Sequence, residues 1–442
     1  IAGAYWRGDE KNKMLTRIYG VAFQTEKELL NYLKMQEEAE KRDHRVLGEK
    51  LDLFVFSDLV GPGLPLFTPK GTIIRDLLDD YVWELRQAKG YEKVDIPHIT
   101  KKELYEKSGH WDKFSEELFK IKTRESHEFA IKPMNCPHHI EIFKRKKWSY
   151  KELPQRYAST TKIYRDEQTG ELFGLARVRS ITQDDAHVFC NMAKTESELV
   201  KIWETVRDFY KPFSLPLKLR LSLRDKKQSK KYLGEPKVWE DAEKIIKFVA
   251  KEKIRISYYV AEGEATFYGP KLDFMATDSL GREWQVATIQ IDMVMPKRFG
   301  LTFVGDDGKE SNIVMIHAAI MGSIERFLSI LIEHYAGSFP LWLSPIQISI
   351  IPISEKHNGY AKEVAKKLRV ADCRLQIFSD NETLGKKIRE AEMQKIPFLL
   401  IIGDKEIQTK SVSVRERGKG DLGQMKLENF IGKIKKEISE RK

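Results

Sequence analysis

The stretch KPMNCPHHIEIF, residues 132–143, places Cys136 beside a proline and two histidines, His138 and His139. Thiolate and imidazole are ligands that zinc prefers, so this cluster could bind a metal ion. A redox-active thiol is a second interpretation. Packing is a third, because a free cysteine commonly behaves as a small buried hydrophobic residue. The spacing within this stretch does not decide among the three.

A second group of polar side chains lies in RVRSITQDDAH, which alternates like a β-strand. Side chains two residues apart on a strand share a face. The residues of one parity are Arg177, Arg179, Ile181, Gln183, Asp185 and His187. On the preceding strand-like run, the same parity contains Thr161, Ile163, Arg165 and Glu167. Together the runs predict an antiparallel hairpin over residues 157–190, whose polar face could bind phosphates and a metal ion or simply face solvent.

His317 lies in the apolar run IVMIHAAIMG, where a histidine is usually a hydrogen-bonded core residue. The apolar spacing predicts a helix across residues 313–335. Because Cys136, His187 and His317 are far apart in the chain, rather than in a short cassette, spacing alone reveals no metal site. Cys190, close behind His187, is a local rival as a ligand.

The composition of the 442-residue chain narrows the class of protein. With 41% apolar and 32% charged residues it is globular, and its net charge of +11 favours a polyanionic partner such as nucleic acid. Three cysteines provide no disulfide framework and favour a reducing, cytoplasmic location. The apolar runs are too short for a membrane span, and no P-loop sequence occurs, so a nucleotide must be bound in another way.

The remaining pattern predicts the elements that would position these residues. An amphipathic helix is predicted from Thr25 to about Leu51, and a second one in GTIIRDLLDDYVWELRQAKGY, ended by Gly90. The middle of the chain is strand-rich with antiparallel connections. After residue 340, strands and helices alternate, which predicts a separate, mostly parallel α/β domain of about a hundred residues.

Seven segments together resemble the threonyl-tRNA synthetase family, a group of class II aminoacyl-tRNA synthetases. They are GHWDKF, IKPMNCPHH, YRDEQTGELFGLARVRSITQDDAHVFC, FYGPKLDF, EWQVATIQIDM, MIHAAIMGSIERF and GDKEIQTKSVSVRERGKGDLG. The likeness implies a homodimer and an α+β catalytic domain with an antiparallel sheet of six or seven strands, followed by a smaller α/β anticodon-binding domain. We therefore expect a helical lead-in over residues 1–48, the catalytic domain over 49–340 and the anticodon-binding domain over 341–442.

The resemblance also implies a metal site and a threonine site. Cys136, His187 and His317 look like three ligands of one zinc ion, which would recognise the amino and hydroxyl groups of threonine. Asp185 would accept the hydroxyl proton. The other expected contacts with the amino acid are Met134, Gln183, Tyr268 and Gln290.

For ATP, Arg165 resembles the arginine that holds the α-phosphate, Glu167 its partner on the adenine side, and Arg326 the arginine that stacks on the base. Further expected ATP contacts are Arg177, Gln285 and Thr288, with Mg²⁺ accompanying the nucleotide. In the second domain, the positions that match anticodon contacts are Asn381, Glu406 and Arg415. The chain departs from the family pattern with His138 for glycine, Ile181 for phenylalanine and Val286 for cysteine.

These expectations combine in one function, the ATP-dependent ligation of L-threonine to tRNA(Thr) through a threonyl-adenylate. A catalytically silent RNA-binding paralogue and a sister synthetase for serine or proline are the alternatives. The family's N-terminal editing domain is expected to be absent, because AYWRGDEKNKML resembles the segment that follows that domain. The expected partners are ATP, L-threonine, tRNA(Thr) and a second copy of the chain, with no membrane.

Overall fold

The computed structural model describes residues 2–6, 11–18 and 20–442. In this part of the chain the strands are β1 (Ala2–Tyr5), β2 (Met14–Arg17), β3 (Phe54–Val55), β4 (Leu66–Phe67), β5 (Glu92–Lys93), β6 (Ile99–Lys101), β7 (Lys120–Lys122), β8 (Glu128–Ile131), β9 (Trp148–Ser149), β10 (Gln155–Tyr164), β11 (Ser180–Cys190), β12 (Leu217–Leu223), β13 (Tyr258–Glu262), β14 (Lys271–Thr277), β15 (Glu283–Asp292), β16 (Thr302–Val304), β17 (Glu310–Asn312), β18 (Val314–Ser323), β19 (Ile348–Pro352), β20 (Leu375–Ile377), β21 (Phe398–Ile402), β22 (Ser411–Glu416) and β23 (Gly420–Lys426).

The helices of the same ranges are α1 (Glu26–Lys41), α2 (His44–Lys50), α3 (Pro69–Gln87), α4 (Lys102–Ser108), α5 (His110–Lys113), α6 (Cys136–Phe143), α7 (Met192–Tyr210), α8 (Pro236–Phe248), α9 (Val294–Phe299), α10 (Ile324–His334), α11 (Asn358–Val370), α12 (Leu384–Met393), α13 (Asp404–Thr409) and α14 (Leu427–Ser439). Among the described residues, no helix combines the length and the apolar character needed to cross a membrane.

An eight-stranded sheet organises the larger part of the chain, in the order β13–β12–β14–β15–β18–β11–β10–β5. Its neighbouring strands are antiparallel except at the two edges, where β13 runs parallel to β12 and β5 runs parallel to β10. The predicted antiparallel sheet is therefore confirmed. It has eight strands rather than six or seven because each edge gains a short parallel strand.

One face of this sheet is buried by helices, and the opposite face carries a second, smaller cluster. Apolar residues of α3, α7 and α10 form the largest core with this face, which includes Val314, Ile316 and Ala318 of β18. Because strand side chains alternate, the intervening residues Met315 and His317 lie on the opposite face. Met315 packs there in a separate cluster that contains Cys136.

The prediction of one helix across residues 313–335 was wrong. The chain forms strand β18 up to Ser323, and helix α10 begins only at Ile324, where the Ser323 hydroxyl accepts the N–H of Arg326. A central strand that is buried on both faces is apolar throughout, so its periodicity does not distinguish it from a buried helix. His317 consequently lies on a central strand.

The hairpin predicted over residues 157–190 is present, but its two strands stop further from the turn than predicted. Strand β10 ends at Tyr164 and β11 begins at Ser180, so the four charged residues assigned to the predicted polar face lie outside the ladder: Arg165, Glu167, Arg177 and Arg179. The Ala176 N–H donates to the carbonyl of Phe173, which closes a compact turn instead of continuing the strand. The shared strand face is confirmed only for the ladder itself, where Gln183, Asp185 and His187 pair with β10.

The predicted helix from Thr25 to Leu51 is two helices. It stops at Lys41, and Asp43 begins α2 by accepting the N–H of Arg45 at 2.8 Å. The first helix buries no residue, whereas α2 buries His44 and Gly48. A capping side chain inside an apparently continuous periodic run thus divides it.

A second sheet forms the C-terminal part, in the order β20–β19–β21–β22–β23. Strands β20, β19 and β21 are parallel, and β22 and β23 add to them antiparallel. The predicted α/β alternation is confirmed, but the sheet is mixed rather than mostly parallel. The sequence pattern did not predict β23 or the short helix α13.

Candidate active site

Two histidines face each other across neighbouring central strands. His187 on β11 pairs in register with His317 on β18, and the facing ring nitrogens, His187 Nε2 and His317 Nδ1, lie 3.1 Å apart. Cys136, the first residue of α6, brings its thiol to the same place. Its Sγ atom and one nitrogen of each histidine lie within 4.8 Å of one another, and all three residues are buried. The fold thus brings together the three residues expected to bind zinc.

The outer nitrogens of the two histidine rings have hydrogen-bond partners of their own. Nδ1 of His187 lies 2.8 Å from Nδ1 of His139, whose Nε2 lies 3.1 Å from the hydroxyl of Ser159. Nε2 of His317 lies 2.9 Å from Oδ2 of Asp292, and Oδ1 of that aspartate accepts two backbone N–H groups of α9. The facing nitrogens can therefore bind a metal while the outer nitrogens keep their partners, as is usual for metal-ligating histidines.

The protonation of these groups suits a cation. Burial, with His139 and His317 nearby, lowers the pKa of His187 well below its usual value, so the imidazole is neutral as a ligand must be. Burial, with Asp185 and Asp292 nearby, raises the pKa of Cys136 well above its usual value. The thiol therefore keeps its proton at neutral pH unless a metal cation replaces it. One thiolate and two imidazoles fit zinc and leave positions for a substrate.

A cavity of about 400 Å³ is lined by these three residues. The same lining contains all five residues expected to contact threonine, Met134, Gln183, Asp185, Tyr268 and Gln290. Asn135 Nδ2 donates to Oδ2 of Asp185 at 3.2 Å, and the Tyr268 hydroxyl donates to Oε1 of Gln290 at 2.6 Å. The Tyr268 ring stacks on the His317 ring with centroids 4.8 Å apart. Polar groups thus converge beside the metal-ligand set.

The expected ATP residues lie in two groups. Arg165 and Thr288 line the cavity, and Arg165 Nε is buried without a hydrogen-bond partner among the described residues. Arg177 and Arg326 lie beyond it: Nε of Arg326 donates to the carbonyl of Ala176 at 3.0 Å. Desolvation, followed by the like charges of Arg177 and Arg165, lowers the pKa of Arg326. Three guanidinium groups therefore share a region in which a polyphosphate would relieve their repulsion.

Four of the expected ATP residues have partners that the sequence did not predict. Arg177 Nη2 lies 2.6 Å from Oε2 of Glu167, so the carboxylate expected beside the adenine is paired with an arginine in this structure. Gln285 Nε2 and the Thr288 hydroxyl both donate to Oδ1 of Asp273, at 3.0 and 2.9 Å. Asp273 is fully buried and also lies 2.9 Å from Nη2 of Arg220.

Sequence reasoning missed Asp292 and Asp273, and it named His139 only as a possible ligand and not as a partner of His187. A signal was present for the two aspartates, because Asp292 shares strand parity with Gln290 and both lie within segments that carry the family resemblance. For His139 the signal was ambiguous. It stands beside His138 in the opening stretch, and only one of the two contacts the metal-ligand set.

His138 lies outside the group of ligands. Its Nε2 is 2.6 Å from the hydroxyl of Thr100, and burial lowers its pKa to about 4. Among the described residues, the group at this place that could hold a metal ion consists of Cys136, His187 and His317. Cys190, the other local rival, is buried and lies 3.8 Å from the Thr195 hydroxyl.

The three residues expected to contact the anticodon come from three different places in the second sheet and its connections. Asn381 is exposed after β20, and Glu406 lies in α13 after β21, both beyond the carboxyl ends of parallel strands. Glu406 is only 7% exposed, and its Oε2 accepts the N–H of Gly403. Arg415 on β22 pairs with Leu399 on β21, about 10 Å before the carboxyl end of β21.

Two family descriptions match the chain. The tRNA synthetase class II core domain (G, H, P, S and T) matches residues 119–335, and the anticodon binding domain matches residues 347–437. The threonine–tRNA ligase of Cytophaga hutchinsonii is 49% identical over 444 residues, covering 100% of this chain and 69% of the relative. That of Thermotoga petrophila is 45% identical, with coverage of 100% and 68%.

Solved structures give the same likeness. The RNA binding domain of threonyl-tRNA synthetase from Cryptosporidium parvum superimposes with a TM-score of 0.85 at 35% identity, covering 89% of this chain and 98% of that one. A prolyl-tRNA synthetase from the same organism, complexed with L-proline and AMP, superimposes with a TM-score of 0.68 at 17% identity, covering 90% and 75%. The second likeness concerns the fold alone.

Proposed function

This chain belongs to the threonine–tRNA ligase family, and from that premise we propose that it activates L-threonine as a threonyl-adenylate with the help of a resident zinc ion. Membership implies aminoacylation of tRNA(Thr) and binding of ATP, threonine and tRNA. The observation that carries the zinc proposal is the buried set Cys136, His187 and His317, whose donor atoms lie within 4.8 Å of one another in the wall of the cavity.

We propose that these three residues hold zinc, with His139 and Asp292 orienting the two histidine rings. When bound, the ion would offer open positions to the amino and hydroxyl groups of threonine. Asp185, held by Asn135, would accept a hydrogen bond from that hydroxyl. A side chain without a hydroxyl would deprive this buried carboxylate of that hydrogen bond, a kind of mismatch that can discriminate by about 10⁴.

For the activation step, Arg165 would bind the α-phosphate while the threonine carboxylate attacks the α-phosphorus, the bond to the β-phosphate breaks and pyrophosphate leaves. Arg177 and Arg326 would bind and orient the nucleotide, with Mg²⁺ neutralising part of the phosphate charge. Thr288 and Gln285 are held by Asp273 and would be presented to the nucleotide in fixed orientations. Catalysis would then consist mainly of positioning and electrostatic stabilisation of the α-phosphate, without a covalent enzyme intermediate.

The proposal also includes the domain bounds, the anticodon contacts and a homodimer. The catalytic part would span residues 49–340 and the anticodon-binding part residues 341–442, with Asn381, Glu406 and Arg415 as candidate base contacts. A homodimer is also proposed. It is supported by an exposed apolar stretch over residues 55–66, in which Leu59 is fully exposed, and by an adjacent cavity of about 590 Å³.

The test is amino-acid-dependent pyrophosphate exchange with threonine, serine and valine, before and after zinc is removed by a chelator. We expect exchange with threonine, weaker exchange with serine, which differs by one methyl group worth about 1–3 kcal/mol, and almost none with valine. Chelation should abolish exchange and added zinc should restore it. Zinc-loaded protein that shows no exchange with threonine would contradict the proposal.

A further inference from the structure

A buried histidine near the N-terminus contacts the loop that carries Arg177. His44 is the first residue of α2 and has no exposed surface. Its Nε2 accepts the backbone N–H of Leu175 at 3.1 Å, and its Nδ1 lies 2.6 Å from Oε1 of Glu333. Because an amide N–H can only donate, Nε2 must be the unprotonated acceptor. The ring proton is therefore on Nδ1, which faces Glu333. The imidazole therefore bridges two separate parts of the chain in one fixed orientation.

Both partners of His44 belong to segments with a proposed role in ATP binding. Leu175 lies in residues 173–177, here called the arginine loop, which ends at Arg177. Glu333 lies on α10, the helix that also carries Arg326. Arg326 in turn donates to the carbonyl of Ala176, the residue after Leu175. The arginine loop is thus attached to α10 at two consecutive residues, directly by Arg326 and through His44.

The contact between α2 and the arginine loop is closely packed. The guanidinium of Arg45 lies 4.5 Å from the centroid of the Phe173 ring, and the His44 ring meets the same ring at 5.6 Å. Gly174 has a φ of +48°, and a Cβ atom on it would lie 2.3 Å from Nε2 of His44. A side chain at this position would displace the imidazole, so the loop can approach His44 only because residue 174 is glycine.

We propose that His44 is a positioning residue for the ATP site, holding the arginine loop in the conformation that keeps Arg177 beside Arg326. This inference rests on the proposed function only in assigning these two arginines to ATP. The helix α2, which supplies no group to the cavity, would then help to determine how the nucleotide is held. The hydrogen bond from the Leu175 N–H to His44 is the contact that affects ATP binding, whereas the hydrogen bond between His44 and Glu333 keeps the imidazole in place.

Two variants separate these two hydrogen bonds. In His44→Gln the amide reaches the position of Nε2 and can accept the Leu175 N–H. In His44→Asn the amide reaches the position of Nδ1 and can donate to Glu333, but it falls short of Leu175. Each variant loses one hydrogen bond, so a loss of stability alone would affect both alike. Lys50→Ala, an exposed change on the same helix, is the control.

The measurements are the KM values for ATP and for threonine in pyrophosphate exchange, and amide hydrogen exchange of the free protein at residues 173–177. We expect His44→Asn to raise the KM for ATP about 3- to 10-fold, leave the KM for threonine unchanged, and speed exchange of the Leu175 amide. His44→Gln and Lys50→Ala should stay within about twofold of the parent protein. Equal shifts in the KM for ATP in Asn and Gln variants, or slower turnover without any shift, would overturn the inference.

The two proposals fail in different ways. If the parent protein shows no exchange with threonine, the proposed function is wrong, and the hydrogen-exchange comparison still tests whether His44 holds the arginine loop. If the parent is active but the Leu175 amide exchanges equally in all variants, only the role of His44 is refuted.

Discussion

At the scale of single residues, the cysteine of the opening stretch has partners distant in sequence. We expect Cys136→Ser to abolish retention of zinc, because the hydroxyl does not supply the thiolate ligand, and with it threonine-dependent exchange. His138→Gly is the matched control: His138 bonds Thr100 and lies outside the ligand set, so zinc should be retained. Metal content measured after gel filtration distinguishes the two, and loss of zinc in both variants would contradict this assignment.

Asp185 provides the second prediction at this scale. Replacing it with asparagine keeps the size of the side chain but removes a charged acceptor of the threonine hydroxyl. Hydrogen bonds to charged groups are worth about 1.5–3 kcal/mol, so kcat/KM for threonine should fall about 10- to 100-fold while that for valine changes little. The ratio of the two constants measures this. An equal fall for both amino acids would show that Asp185 does not read the hydroxyl.

A third prediction concerns pH. Burial, with nearby His317 as a smaller cause, lowers the pKa of His110 to about 3. An imidazole whose pKa is depressed by folding contributes stability above its unfolded pKa near 6.5, and loses it as pH falls toward 3, by about 1.4 kcal/mol per pH unit. Urea unfolding between pH 7 and 4.5 should therefore show a shallower loss of stability for His110→Asn than for the parent. Parallel curves would contradict it.

At the scale of elements, β18 and α10 show where sequence reasoning failed. The continuous apolar run gave no sign of the change from strand to helix, because a doubly buried strand and a buried helix have the same composition. The break was decided by the Ser323 cap and by pairing with β11 and β15 on either side. Since His317 needs the strand register to face His187, the helical interpretation would have moved it away from its partner.

The junction between α10 and β11 gives a prediction at this scale. Glu325 is almost fully buried, and its two oxygens accept the N–H and the hydroxyl of Thr182 at 2.7 and 2.6 Å. Glu325→Ala would leave both donors without a partner, which costs about 1–3 kcal/mol each. We expect a lower urea midpoint for this variant, and no change for Glu310→Ala on the exposed strand β17. Equal midpoints for both variants would refute the role of this junction.

At the scale of the whole molecule, the prediction concerns assembly. Leu59 is fully exposed in the apolar stretch that we propose as a dimer surface. A glutamate there would bury an unpaired charge on association, so Leu59→Glu should convert a dimer into a monomer in sedimentation velocity. Val370→Glu, at an exposed apolar position at the end of α11, is the control and should leave the dimer intact. A parent protein that sediments as a monomer would refute the proposed surface.

The sequence by itself determined the local chemistry and, through the order of its motifs, the family resemblance. It predicted the antiparallel sheet and the C-terminal α/β alternation, because strand and helix periodicity are local properties. The residues around the cavity were predicted by the family resemblance, not by periodicity or spacing. Tertiary structure alone decided which of these residues meet. Cys136 and His317 reach His187 through strand pairing and a helix start, contacts between residues far apart in the chain. The same holds for Asp273, Asp292 and His44, whose partners no spacing rule identifies.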